Sequence, residues 1–392
     1  MKTSRALATT LALAVLTWLG SEVVAQSKAP IKVGIFLSLT GPLAPLGAFN
    51  RSGIEVASQE FGGQVAGRKI ELLVEDDEGK PDVGLSKIRK LVEQDKVAVV
   101  VGPVSSPVAL AVREYMVSKS VPWVLTFATA PSLTRELGAP NIFRASWSGE
   151  QAQYPSGSYI YQKLGYQRIA VVGLDYVAGR AEAKAFSDGF KAAGGKSVQE
   201  VWVPLGAPDA APFVTQIQPG SVDAVVGAGI WGSDAVRIIR AFEEYGIKGR
   251  PPVIVINTAV ADGSLLPSLG KSALGLRSYG PYCFGLDTPE NRKFVDLFTR
   301  YSGKAPGIEA YIGYTAGRVA LEAAKAVNGN VEDRAAYLKA LQNVDYVGPT
   351  GRFHFDANRN ALVNIFLQEV RQVGSDIFNA PIDLIGREVA QR

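Results

Sequence analysis

Short apolar runs alternate with amphipathic stretches along most of the chain. Ile31–Leu39, Lys69–Glu75, Val97–Val101 and Val121–Phe127 are rich in β-branched residues and stop at Gly, Pro, Asp or Thr. Such runs predict strands buried on both faces. Helical spacing fills the gaps, at Asn50–Phe61, at Pro81–Gln94 with Val83, Ile88, Leu91 and Val92 inward, and at Pro107–Ser118. Strand and helix in alternation imply a parallel sheet covered on both sides. Asn141–Gln151 breaks the rhythm and reads as a crossover. A second series follows. Strands are predicted at Arg168–Leu174, Ser197–Val203, Asp223–Gly227 and Pro252–Asn257, and helices at Gly179–Ala193, Pro212–Ile217 and Asp234–Tyr245. Ser278–Phe284 reads as an extended return crossing. Helices at Pro289–Tyr301, Ile308–Val327 and Val331–Leu341 come next, then strands at Gly351–Phe355 and Leu362–Val370.

A chain of 392 residues exceeds what one core usually holds. The two series therefore predict an α/β protein of two doubly wound parallel-sheet lobes joined by a three-crossing hinge. The crossings fall near Ser146–Gly149, Tyr279–Pro281 and Val363–Asn364. One lobe would comprise residues 26–147 and 281–363, the other 148–280 and 364–392. Ligands of parallel sheets collect beyond the carboxyl ends of the strands. The loops at Leu46, Ser105–Ser106, Phe127–Thr129, Asp175–Ala178, Ile230–Trp231 and Thr258 should then face one another across a cleft.

Residues 1–25 stand outside this pattern. Lys2 and Arg5 precede an apolar run from Ala6 to Leu19, and Val23-Val24-Ala25 precedes Gln26. This is the layout of a signal peptide cleaved after Ala25. It predicts an exported, periplasmic, monomeric protein. The run is shorter than the roughly 20 residues that span a bilayer.

The 41 basic and 37 acidic residues are interspersed, with no basic block to hold nucleic acid. Cys283 and His354 are the only residues of their kinds, so neither an internal disulfide nor a zinc site of the usual ligand count can form. His354 lies in the strand-like GRFHFD and reads as a surface strand residue. Neither G-x-G-x-x-G nor G-x-x-x-x-G-K-[ST] is present. No cofactor, metal or catalytic constellation is expected.

Candidate chemistry gathers at VAVVVGPVSSPVA, Val97–Ala109. Pro107 suits the first position of a helix, and Ser106 stands where an N-cap belongs. A strand, a short polar loop and a helix N-terminus suit a carboxylate.

IKVGIFLSLTGPLAPLG, VEDDEGKPDVG, VGPVSSPVALA, FATAPSLT, FRASWSGEQ and GPTGRFHFDANRN follow one another here in a familiar order and spacing. On these the chain, from about Ile31 to Val370, resembles the periplasmic substrate-binding proteins of ABC importers, of the leucine/isoleucine/valine-binding type. The resemblance implies a type I two-lobed binding fold, no catalysis, and delivery of a small-molecule ligand to a membrane permease. It implies that Ser106, Thr129 and the backbone around Ser105 and Ala128 hold a ligand carboxylate, and that Phe127 adds an aromatic wall. The chain departs from the family where an α-ammonium would be balanced, with Thr258 and Gly149 at positions where amino-acid binders carry acids. An unpaired buried charge costs several kcal/mol. Leu46, Ala178 and Ile230 replace tyrosines of the family pocket, and Trp147, Tyr176 and Trp231 lie close by in sequence as substitute walls. Glu309 either accepts from a ligand hydroxyl or is a solvated residue at a helix start, where the dipole favours it. The expected cargo is a carboxylate with an apolar or aromatic body. A hydrophobic amino acid is the alternative, and a secreted enzyme or a ligand-sensing regulator on the same fold are rivals from other classes.

Overall fold

The computed structural model describes residues 29–247, 249, 252–255, 265–373 and 376–391. The leader and Thr258 lie outside the described residues, so neither expectation is met or refused by the fold. Two mostly parallel sheets organise the rest. The first series gives β1 (Ile31–Leu37), α1 (Ala44–Glu60), β2 (Gln64–Val65), β3 (Arg68–Asp76), α2 (Pro81–Arg89), β4 (Val99–Val101), α3 (Ser106–Lys119), β5 (Trp123–Leu125) and β6 (Ile142–Arg144). Its six strands run in the order β2-β3-β1-β4-β5-β6, all parallel except β2, which pairs back on β3. β1, β4 and β5 are almost wholly buried because helices cover both faces, as their unbroken apolar runs predicted.

The second series gives α4 (Gly149–Gln162), β7 (Arg168–Asp175), α5 (Val177–Ala192), β8 (Ser197–Pro204), α6 (Ala211–Val214), β9 (Ala224–Gly227), α7 (Gly232–Glu244), β10 (Val253–Val255), α8 (Leu266–Leu269) and β11 (Arg277–Gly280). The chain then returns through α9 (Pro289–Ser302), α10 (Ile308–Ala326) and α11 (Arg334–Gln342), with α9 and α10 packing on α1 beside the first sheet. A ribbon of β12 (Asp345–Gly348) and β13 (Gly351–His354) leads to β14 (Val363–Val373) and β15 (Asp376–Val389). The second sheet has seven strands in the order β15-β14-β11-β10-β9-β7-β8. Its last two strands are antiparallel, so this lobe is not purely parallel.

The chain thus crosses between lobes after β6, after β11 and before β14. Side chains tie the crossings together. Arg144, fully buried, donates through Nη1 to Asn360 Oδ1 (3.1 Å). Asn360 Nδ2 donates to Gln151 Oε1 (2.9 Å), and Gln151 Nε2 donates to the Ala361 carbonyl (2.8 Å). Gln368 Nε2 donates to the Tyr282 carbonyl (2.8 Å), joining β14 to the middle crossing. Burial pulls the Arg144 guanidinium down to about 9.

Several elements stand outside the sequence reading: the short β2, β6, α8 and β12, and the longer α4 and β15. The stretch expected as a crossover already holds α4, which Ser148 and Gln151 begin: the Ser148 N–H donates to Gln151 Oε1 (3.0 Å). α4 packs backbone to backbone on α5. A β-carbon on Gly157 would lie 2.1 Å from the Phe186 carbonyl oxygen, and one on Gly189 would lie 2.0 Å from the Tyr154 carbonyl oxygen. The long edge strand β15 was not expected either. It carries Pro381 in its interior, which an edge strand accommodates because one side needs no ladder donor.

Candidate functional site

Both sheets reverse their strand order at one point. In the first the reversal falls between β1 and β4, in the second between β7 and β9. Crevices of α/β sheets open there. The loops beyond β4 and β9 carry Ser105–Ser106 and Ile230–Trp231, and the loop beyond β7 carries Tyr176.

The loop after β4 is rigidly held. Trp123 Nε1 donates to the Gly102 carbonyl (2.7 Å) and Thr126 Oγ1 to the Pro103 carbonyl (2.9 Å). Ser105, not Ser106, is the N-cap of α3: its φ is −82°, its ψ 121°, and its Oγ accepts from the Val108 N–H at 3.4 Å. This corrects the assignment made from Pro107, which occupies the second helical position rather than the first. The Ser106 hydroxyl is thereby released from capping. It accepts from the Ala130 N–H (3.2 Å) and so links the loop after β4 to the loop after β5. The Thr129 carbonyl accepts from the Gly149 N–H (2.9 Å), carrying the link on to the start of α4. Ser106, Thr129 and the first turn of α3 therefore stand together, donors and hydroxyls beside the positive end of a helix.

Aromatic rings flank this polar end. Phe127 meets Trp147 edge-on at 5.6 Å and Trp231 edge-on at 5.4 Å. Phe127 and Trp147 are buried; Trp231 is partly buried, precedes α7 in the second lobe and packs on the apolar cluster of the first. Leu46 belongs to the same cluster. Ala128 is fully buried beneath the loop. Ile230 is fully buried in the apolar cluster of the second lobe, and Tyr176 packs against that cluster with its phenol raised by burial and by Glu182 and Asp234 nearby. Ala178 stands partly exposed in the first turn of α5.

Glu309 is fully buried in α10, which rules out the solvated reading. Its carbonyl accepts from Asn50 Nδ2 (3.3 Å). The sequence reading missed Glu182. This residue is 3% exposed in α5, its Oε2 accepts from Gln153 Nε2 (3.0 Å), and burial pushes its carboxyl up to about 8. Spacing could have revealed it, because Glu182 follows Ala178 by one helical turn on the same face. Among the described residues no group of three or more His, Cys, Asp or Glu is placed to hold a metal ion.

Two α/β lobes whose strand-end loops meet where Phe127 touches Trp231 define a two-lobed ligand-binding fold. The periplasmic binding protein family matches residues 30–375, and the chain belongs to that family. A Leu/Ile/Val-binding protein homolog of Brucella melitensis is 27% identical over 347 residues, covering 87% of each chain. An ABC transporter substrate-binding protein from Sphaerobacter thermophilus is 36% identical, with a TM-score of 0.88 over 92% of this chain and 99% of its own. A solute-binding protein of an ABC transporter from Rhodopseudomonas palustris BisB5, solved with 3,4-dihydroxybenzoic acid, is 28% identical, with a TM-score of 0.85 over 93% and 98%. The chain is a substrate-binding protein of the ABC-transporter type. No helix among the described residues is long and apolar enough to cross a membrane.

Proposed function

We propose that the protein captures a small carboxylate with an apolar or aromatic body and delivers it to a membrane permease, without catalysis. The observation that carries the reading is the junction of two features. Ser106, Thr129 and the first turn of α3 form a polar end, and Phe127, Trp147 and Trp231 form an aromatic wall beside it. The aromatic acid bound by the Rhodopseudomonas protein supports it. Gly149 itself supplies no acid for an α-amino group, and the carboxyl that stands beside it, Glu182, is one that burial disfavours in its charged form. The same reading takes the leader as cleaved after Ala25, the protein as a periplasmic monomer, and the lobes as residues 26–147 with 281–363 and 148–280 with 364–392.

A hydrophobic amino acid remains the second reading. The buried carboxyls of Glu309 and Glu182 and the Brucella relative favour it. Titration calorimetry with benzoate, phenylpropanoate, phenylalanine and leucine separates the two. Tight binding of the aromatic acids with weak or no binding of leucine supports the first; the reverse order replaces it with the second.

A further inference from the structure

Arg144 closes β6 just before the first crossing between lobes and is fully buried. Its main chain is fastened to the segment that leads into β14: the Arg144 N–H donates to the Arg359 carbonyl (2.8 Å), and the Ala361 N–H donates to the Arg144 carbonyl (2.9 Å). Its guanidinium reaches two ways. Nη1 donates to Asn360 Oδ1, which also accepts from Thr134 Oγ1 at 3.3 Å. Nη2 donates to the Ala130 carbonyl. The other backbone group of that residue, the Ala130 N–H, donates to Ser106 Oγ at 3.2 Å. Ala130 is thus clasped by Arg144 on one side and by Ser106 on the other. Because Ser106 Oγ accepts there, its own O–H is left to donate. What the guanidinium lacks is a carboxylate. Among the described residues no acid is bonded to it, and its Nε makes no hydrogen bond. The acids that act on it, Glu150 and Asp356, are engaged elsewhere. Glu150 pairs with Arg135 at 2.9 Å, and Asp356 Oδ1 accepts from the Asn358 and Asn360 N–H groups at 2.8 and 2.9 Å. Buried charges are ordinarily paired, because an unpaired one is costly to keep.

We infer that Arg144 is the positioning residue of the carboxylate end: it holds Ala130, and through it Ser106, in place, and it supplies from behind the loop the positive charge that a bound carboxylate balances. The inference rests on the reading of Ser106 as the carboxylate end, and it holds for an aromatic acid and for an amino acid alike. Arg144 does not touch the ligand. The order is guanidinium, Ala130, Ser106, carboxylate. The hydroxyl fixes where the ligand's oxygen sits, and the charge behind it selects an anion. Unlike charges attract across several ångströms where little water lies between them. A neutral amide of the same shape meets the same hydroxyl and gains nothing from the guanidinium. Burial lowers the guanidinium only to about 9, so the charge is present at neutral pH.

Calorimetry with two pairs of probes, benzoate against benzamide and leucine against leucinamide, tests this on the purified protein and on Arg144→Met, Arg144→Lys and Asn360→Ser. In the unaltered protein the carboxylate of whichever pair binds should bind about tenfold tighter than its amide, or more. Arg144→Met, which keeps a long side chain without the charge, should lower that ratio by about tenfold, chiefly by weakening the carboxylate. Arg144→Lys, which keeps the charge and loses the planar fork, should retain most of the ratio. Asn360→Ser cuts the tie to the crossing and spares the link to Ala130, so it should leave the ratio unchanged even where both affinities fall. Should the methionine variant fail to fold, the unaltered protein still decides. Its ratio should hold between about 0.05 and 0.5 M salt, because a buried charge is screened little. A ratio that falls steeply with salt places the selecting charge on the surface and overturns the inference. A ratio that survives Arg144→Met, or that is lost equally in Asn360→Ser, overturns it as well and makes Arg144 a structural clasp alone. These results leave the carboxylate end at Ser106 standing. Failure of both carboxylates to bind removes that reading and this inference together.

Discussion

Trp231 offers the cleanest test of how the two lobes communicate. It sits on the second lobe, yet its ring meets Phe127 of the first at 5.4 Å, edge to face. It stands at the N-cap position of α7 with no side-chain cap bond, and it is only partly buried. Trp231→Ala should therefore leave each lobe's own core intact. An edge-on aromatic pair contributes about 0.5–1.5 kcal/mol beyond its area. Because about 1.4 kcal/mol is a factor of ten, losing the pair shifts the balance toward separated lobes by about two- to twelvefold. Where the closed form is the one that binds, the apparent dissociation constant rises by a similar factor as that form is depleted. Solution scattering should give a larger radius of gyration for the ligand-free variant, and calorimetry a correspondingly weaker ligand, with the melting temperature nearly unchanged. An unchanged radius together with unchanged affinity would refute a lobe-bridging role for this contact.

Ser105→Ala removes the cap of α3 and should cost about 0.5–2 kcal/mol in denaturant unfolding, whereas Ser106→Ala should cost less in unfolding but weaken a bound carboxylate by about 1.5–3 kcal/mol in calorimetry. Gly157→Val drives atoms into the Phe186 carbonyl, 2.1 Å from the first of them, and should destabilise by at least about 1–3 kcal/mol, read as a lowered denaturant midpoint. Glu182 has a folded-state pKa of about 8 against an ordinary 4.5, so the folded protein holds its proton where the unfolded chain has released it. Stability should then fall as pH rises from about 4.5 to about 8 and level off above, and Glu182→Gln should flatten that part of the profile of melting temperature against pH.

Much of this architecture was legible because each lobe repeats one physical pattern. β-Branched runs bounded by Gly, Pro or Asp became parallel strands, and of the loops expected to face one another, that of Ser106 bonds to the loop after β5 and that of Phe127 meets Trp231. Elsewhere local signals competed. Gly149, Pro155 and Gly157 weaken the helical signal of this stretch, although the Ser148–Gln151 capping box starts α4. β15 carries Pro381, which is disfavoured in any strand but an edge strand. The exchange of roles between Ser105 and Ser106 turned on a single residue of helix boundary, finer than spacing resolves. Glu182 escaped notice because its neighbours Gly149 and Gln153 are brought to it only by the pairing of α4 with α5.

That pairing has a mechanical consequence. α4 is 14 residues long and begins directly after the first crossing between lobes. At 1.5 Å per residue it is a lever of about 21 Å, so a turn of about 10° at its root swings its far end by nearly 4 Å. Because the two glycines seat α4 on the backbone of α5, no pliable side chains lie between them there to absorb the stroke. A few degrees of backbone torsion around Ser146–Gly149 are transmitted to the second lobe as a rigid displacement, amplified with distance from the pivot.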